Sequence, residues 1–267
     1  MLENITLGQY YPSGSVVHRL DPRMKILLLI LYIAAIFLAD TLWAFLPVAL
    51  FVLMCARLAR LPFRLLFKSL KPLRFILIFT LVLNIFFMRG ETVILSFWII
   101  RITREAIYTA ILYALRLVFL VFGSSLLTLT TAPVPLTDGL ERLLSPLRAV
   151  HFPAHEMAMM MTIALRFIPT LLEETNKIMK AQTARGADFE TGNLIKRAKA
   201  MVPLLVPLFV SSFRRAGDLA MAMESRCYRG GEGRTRLHVL KLRRDDYAAL
   251  AITLAFFGVI LVFKLVL

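Results

Sequence analysis

Cysteine is nearly absent, with two residues, Cys55 and Cys227, in a chain of 267. One lies in an apolar run and the other in a basic stretch, so they supply neither a disulfide framework nor the close spacing of a zinc site. No G-x-x-x-x-G-K-[ST] loop occurs, so the chain cannot cradle ATP phosphates by that route. Acidic residues are scarce, 17 Asp+Glu against 32 Lys+Arg, for a net charge of +15. The apolar runs contain no carboxylate pair and no aspartate-rich motif, which removes the usual acid–base equipment of a membrane enzyme. The first ~20 residues lack an apolar core behind a basic start and do not read as a cleavable signal peptide. The first apolar run is expected to act as an uncleaved insertion signal.

What is present is apolar: 59% of residues are hydrophobic, against roughly 45–50% in a soluble domain. Five runs stand out, Met24–Ala39, Leu42–Ala56, Leu73–Met88, Ala106–Thr131 and Tyr247–Leu267. A membrane-spanning helix needs about 20 residues. The last two runs meet this outright. The first three are short, and the pair around Asp40 reads either as two spans or as a re-entrant hairpin; two spans are favoured. Asp21 and Pro22 suit the N-cap and first turn of a helix, so the first should begin at Pro22. An ordinary cap explains that pair without any function. Arg116 is the one charge well inside a run, and such charges are functional, paired within the bundle or snorkelling to the interface.

Basic residues do not point to nucleic acid here, because they flank and follow the apolar runs, as in cytoplasmic loops. Arg19, Arg23 and Lys25 precede the first run. Arg57, Arg60, Arg64, Lys68, Lys71 and Arg74 follow the second in what reads as a loop with no acid between them. Thr92–Thr103 is β-rich in composition. The pattern predicts a cytoplasmic N-terminus, five spans and an outside C-terminus. It divides the chain into membrane helices at 1–131, a cytoplasmic section of long amphipathic helices at 132–246, and a last membrane helix at 247–267. The fold class is thus an all-α polytopic membrane protein.

In the middle section, Met157, Met161, Ala164, Ile168, Leu171, Thr175, Ile178 and Gln182 recur in steps of three and four, one stripe of a helix spanning His155–Ala184. Pro169 should kink it. A second long helix is expected over Lys199–Cys227, stopped by Gly230-Gly231, and a shorter one over Leu136–Val150, bounded by prolines. His151 and His155 have a metal-like spacing, but Pro153 interrupts it and no third ligand is evident. No metal site or cofactor is expected.

The two long helices end alike. Ala184-Arg185-Gly186 closes the first and Ser225-Arg226-Cys227 the second, with the arginines 41 positions apart. A cation is favoured at a helix C-terminus, its small neighbours admit a partner surface, and its planar fork suits a carboxylate there. Two such ends suggest two equivalent contacts. Eight of the 12 methionines lie in the middle section. Met157, Met160 and Met161 read either as core filling or as a surface that repacks against different partners.

His18-Arg-Leu-Asp-Pro-Arg-Met-Lys25, Ala184-Arg185-Gly186 followed by Ala-Asp-Phe, and Met223-Glu-Ser-Arg-Cys-Tyr-Arg-Gly-Gly231 together resemble the T component of energy-coupling factor (ECF) transporters, the coupling subunit of an ABC class of vitamin importers. The resemblance covers essentially the whole chain. It implies a non-catalytic scaffold joining two cytoplasmic ATPases to a membrane-embedded S component that binds the vitamin. It further implies that Ala184, Arg185 and Gly186 form the first ATPase-docking motif and Ser225, Arg226 and Cys227 the second. The second motif departs from the usual Ala-Arg-Gly or Ala-Arg-Ser, but its flanking residues remain small. Met157, Met160 and Met161 would meet the S component or the adjoining bundle face. The location implied is the cytoplasmic membrane of a prokaryote. A conventional ABC permease with its own substrate path is the alternative, and a polytopic membrane enzyme a third.

Overall fold

The computed structural model describes residues 10–88, 92–97, 100–150, 152–189, 193–230 and 240–266. In order, the elements are α1 (Val16–Arg19), α2 (Pro22–Leu38), α3 (Phe45–Leu58), α4 (Phe63–Leu70), α5 (Arg74–Phe87), β1 (Val93–Phe97), β2 (Ile100–Thr103), α6 (Arg104–Thr130), α7 (Pro133–Leu144), α8 (Ala154–Ala184), α9 (Leu194–Ser225) and α10 (Arg244–Val266). Among the described residues the fold is all-α apart from one antiparallel hairpin, in which Phe97 pairs with Ile100. That hairpin falls where the composition is β-rich. The chain forms two compact units, Gly8–Leu143 with Val239–Leu267, and Leu144–His238.

The first unit is a helix bundle centred on α2. Tyr32, Ile36, Val48, Val52, Phe256 and Ile260 belong to its buried core. The Tyr32 ring packs within 5.9 Å of Phe51 and 6.2 Å of Phe256. Gly123 on α6 makes room for it, since a Cβ there would fall 2.2 Å from the ring. The Tyr32 hydroxyl then donates to the Phe119 carbonyl at 2.8 Å, which satisfies the one polar atom of an otherwise apolar contact.

Among the described residues, three helical stretches are long and apolar enough to cross a membrane: Phe63–Phe87, Arg104–Thr130 and Arg244–Val266. The first corrects the sequence expectation. Arg64 and Lys68 do not lie in a loop but in α4, which continues through a 3-10 turn at Lys71–Leu73 into α5. Pro72 marks the change of geometry, because it cannot donate to the helical ladder. α5 buries none of its side chains, and Phe75 and Phe87 are more than 70% exposed. Such an apolar surface is at rest in lipid rather than water.

α2 is shorter, but it is tied to its neighbours at both ends. At its start Asp21 accepts from the Arg23 amide at 2.9 Å and ion-pairs with the Arg23 guanidinium. The Asp21 amide donates to Asp246 at 2.8 Å, and Asp246 also accepts from the Arg243 amide at 2.7 Å, capping α10. Lys25 Nζ donates to the Thr130 carbonyl, the Thr131 hydroxyl and the His18 carbonyl, the first at 2.9 Å. This joins the start of α2 to the end of α6. Three acceptors match the three protons of an ammonium, which is why a lysine can be buried there. Burial also lowers the His18 pKa, opposed by the hydrogen bond to the Tyr11 carbonyl. At the far end of α2, Arg116 donates to the Ala39 carbonyl at 2.8 Å and pairs with Asp40, which also pairs with Lys264 at 3.1 Å. So Arg116 is paired within the bundle, between the two alternatives of function and snorkelling. From Asp246 to Lys264 α10 runs alongside α2, a length of roughly 27 Å at 1.5 Å per residue, near the thickness of a hydrocarbon core.

In the second unit α8 and α9 begin and end slightly differently from the sequence reading. α9 starts at Leu194, so Pro203 and Pro207 are inside it, and it stops at Ser225. Gly230-Gly231 is not the stop signal; Cys227 takes the left-handed conformation first, at φ 54°. In the first unit, α7 begins at Pro133, with Pro135 also within its first turn, where their missing amides cost no helical bond.

Candidate functional site

α8 and α9 form an antiparallel pair. Near their middles, Glu174 accepts from the Ser211 hydroxyl at 2.8 Å and ion-pairs with Arg215. Those donors hold its pKa below the ordinary carboxylate value, Ser211 first and Arg215 second. At one end, a ring nitrogen of His155 on the first turn of α8 lies 3.2 Å from the Tyr228 hydroxyl just past α9. The C-terminus of α9 therefore lies beside the N-terminus of α8. α8 is 31 residues long, so the two C-terminal ends are separated by on the order of 40 Å.

Those two ends share one geometry. At the first, the amides of Arg185, Gly186 and Ala187 donate to the carbonyls of Gln182, Thr183 and Gln182, at 2.9–3.0 Å. At the second, the amides of Arg226, Cys227 and Tyr228 donate to the carbonyls of Met223, Glu224 and Met223, at 2.9–3.2 Å. This is the Schellman arrangement, with bonds from C″ to C3 and from C′ to C2. Arg185 and Arg226 occupy the C-cap in each. The C′ residue must be left-handed, and Gly186 and Cys227 are, at φ 89° and 54°. The near-repeat seen in the sequence is thus a repeat of backbone shape, position by position.

Ala184, Arg185 and Gly186 are exposed, as are Ser225, Arg226 and Cys227. Neither guanidinium has an ion-pair partner among the described residues. Each end thus presents a free planar cation beside small side chains, at the tail of a helix whose dipole favours positive charge. The arrangement can grip a carboxylate on another surface. It contains no nucleophile–base pair, and among the described residues no three His, Cys, Asp or Glu side chains gather to hold a metal ion. His151 lies outside the described residues.

Met157, Met160 and Met161 are exposed on the first two turns of α8. Sequence reasoning missed a larger apolar ridge on α9. Val202, Leu205, Val206, Phe209, Val210 and Phe213 are each at least 48% exposed. Their steps of three and four put them on one face, and that periodicity was the available signal. It also missed the Asp246 and Lys25 clasp, whose partners are distant in sequence.

A family model described as "Cobalt transport protein", named CbiQ, matches residues 13–237. A protein of Clostridium kluyveri described as "Energy-coupling factor transporter transmembrane protein EcfT" is 53% identical over 250 residues, covering 93% of each chain. The relative of the same description from Acidaminococcus fermentans is 54% identical over 258 residues, 96% of each chain. One from Listeria innocua is 46% identical over 255 residues, again 96% of each.

Proposed function

The chain belongs to the CbiQ family of energy-coupling factor transmembrane components, and from that premise we propose that it couples ATP hydrolysis by two cytoplasmic ABC ATPase subunits to uptake of a vitamin or micronutrient held by a separate S component. The observation that supports this reading is the pair of helix ends with the same backbone hydrogen-bond pattern and a C-cap arginine in each. Two ATPases need two equivalent handholds, and the chain offers the same C-cap arginine twice, roughly 40 Å apart. In this reading Arg185 holds one ATPase and Arg226 the other, each through a carboxylate, with the small neighbours allowing close approach. Residues 132–246 and the N-terminus face the cytoplasm of a prokaryotic cell, and ATPase activity resides in the partners. The S component or the adjoining bundle face covers exposed apolar surface that includes Met157, Met160 and Met161.

Copurification of the ATPases tests the docking. Truncating one side of a hydrogen-bonded charge pair across an interface costs about 2–5 kcal/mol, so Arg185→Ala or Arg226→Ala should weaken its own contact by roughly 30-fold or more. The second contact still tethers the complex, so single variants retain partial assembly. The double variant should lose both ATPases while staying in the membrane, and Lys at either position should rescue poorly because it lacks the fork. Full ATPase recovery with the double variant would reduce these arginines to ordinary helix ends.

A further inference from the structure

We infer that α4, with the end of α3 and the start of α5, is a docking face for anionic phospholipid headgroups. Arg57, Arg60, Arg64, Lys68, Lys71 and Arg74 are all exposed, and no acidic residue interrupts them. None has an ion-pair partner among the described residues. Six free cations along 18 positions repel one another, and a counter-charge from outside the chain relieves that.

Three observations make the counter-charge a lipid. First, the same helical stretch runs on into α5, which buries no side chain; a helix bathed in lipid carries its basic turns to the headgroup layer. Second, α4 sits at the end of the bundle. Leu66 is buried in a cluster with Ala56 and Ala59 from the end of α3 and Leu129 from the end of α6. Third, α4 is amphipathic in the manner of an interfacial helix. Phe63, Leu66, Phe67 and Leu70 follow the steps of one face, and Arg64, Lys68 and Lys71 follow those of the adjoining face. Phe67 remains 64% exposed beside the cations, at the boundary where aromatic rings settle. Basic clusters on such helices recognise anionic lipid.

The test uses the full chain in vesicles, with Trp43→Phe, Trp98→Phe and Phe67→Trp so that one fluorophore reports on the face. Quenching by brominated phosphatidylglycerol is compared with quenching by brominated phosphatidylcholine. Each cation near an anionic surface contributes about fivefold, so the anionic lipid should be preferred at least tenfold at low salt. The preference should shrink severalfold in 0.5 M NaCl, where charges are screened within a few ångströms. Arg64→Gln with Lys68→Gln and Lys71→Gln should bring it to about one. The salt titration needs no further variant, so it stands even if the triple variant inserts poorly. Equal quenching by the two lipids in the parent, or a preference that survives both salt and the triple substitution, overturns the inference. Loss of copurifying ATPases from the triple variant with the lipid preference unchanged also overturns it, by making the face a protein contact.

Discussion

Gly186 and Cys227 show how a single backbone angle shapes a helix end. Both sit at C′ with positive φ, but only glycine adopts that conformation without a Cβ penalty. Cys227→Gly should therefore stabilise the end of α9 by up to about 1 kcal/mol, and Gly186→Ala should destabilise the end of α8 by a similar amount. Nothing lies within 4 Å of a Cβ added to Gly186, so that loss reports conformation rather than a clash. Amide hydrogen exchange at Ala187 and Tyr228, the C″ donors, measures both effects. Unchanged exchange at Tyr228 in Cys227→Gly would show that the thiol position carries no strain. The arginines, the small neighbours and the order of the two motifs were legible in the sequence. That the motifs share three hydrogen bonds in the same pattern was not, because cysteine gives no sign that it will turn left-handed.

At the scale of elements, the long hairpin carries two exposed apolar surfaces, the methionines at the start of α8 and the ridge on α9. The helical periods of both were in the sequence. What periodicity cannot tell is which stripe meets a neighbouring helix and which meets a partner, because either demands the same spacing. The structure leaves Met157, Met160 and Met161 open, while Glu174 and Ser211 bring the helices together. If the methionines meet the S component, Met157→Asp with Met161→Asp should reduce its copurification by at least tenfold and leave ATPase recovery near normal. A carboxylate placed in a desolvated apolar contact finds no partner there. ATPase loss ahead of S-component loss would assign the start of α8 to the other partner. The boundary of α4 was misread for a related reason. A basic stretch before an apolar run looks like a loop by charge, whereas Phe63, Leu66 and Phe67 show it to be one face of a helix.

At the scale of the whole bundle, side-chain contacts fix the directions of α6 and α10 relative to α2. Lys25 meets Thr130, Tyr32 meets Phe119, and Arg116 meets Ala39, so α6 runs against α2. Asp246 lies by Asp21 and Lys264 by Asp40, so α10 runs with α2. If the N-terminus lies inside, as proposed from the basic residues before α2, the end of α10 lies outside. Single cysteines placed at residues 12 and 266 of a chain with both native cysteines replaced should label from opposite sides of the membrane. Labelling of both from one side would mean that one of the short apolar runs, Met24–Ala39, Leu42–Ala56 or Leu73–Met88, does not cross.

The sequence by itself determined the solvent, the helical class and the residue chemistry of the two helix ends proposed to dock. Apolar run length and loop charge are local quantities, and a cap or an arginine is recognised from its immediate neighbours. Only the tertiary structure decided that Asp21, Lys25, Asp246 and the end of α6 form one clasp, and that Arg116 closes the other end on Asp40. Those pairings join residues 76 to 225 positions apart, and no local pattern marks them. It also decided that α8 and α9 lie antiparallel, which sets the two arginines a helix length apart. A hairpin of two rigid helices fixes that distance, whereas the linear spacing of 41 residues is compatible with almost any separation up to the length of the chain between them.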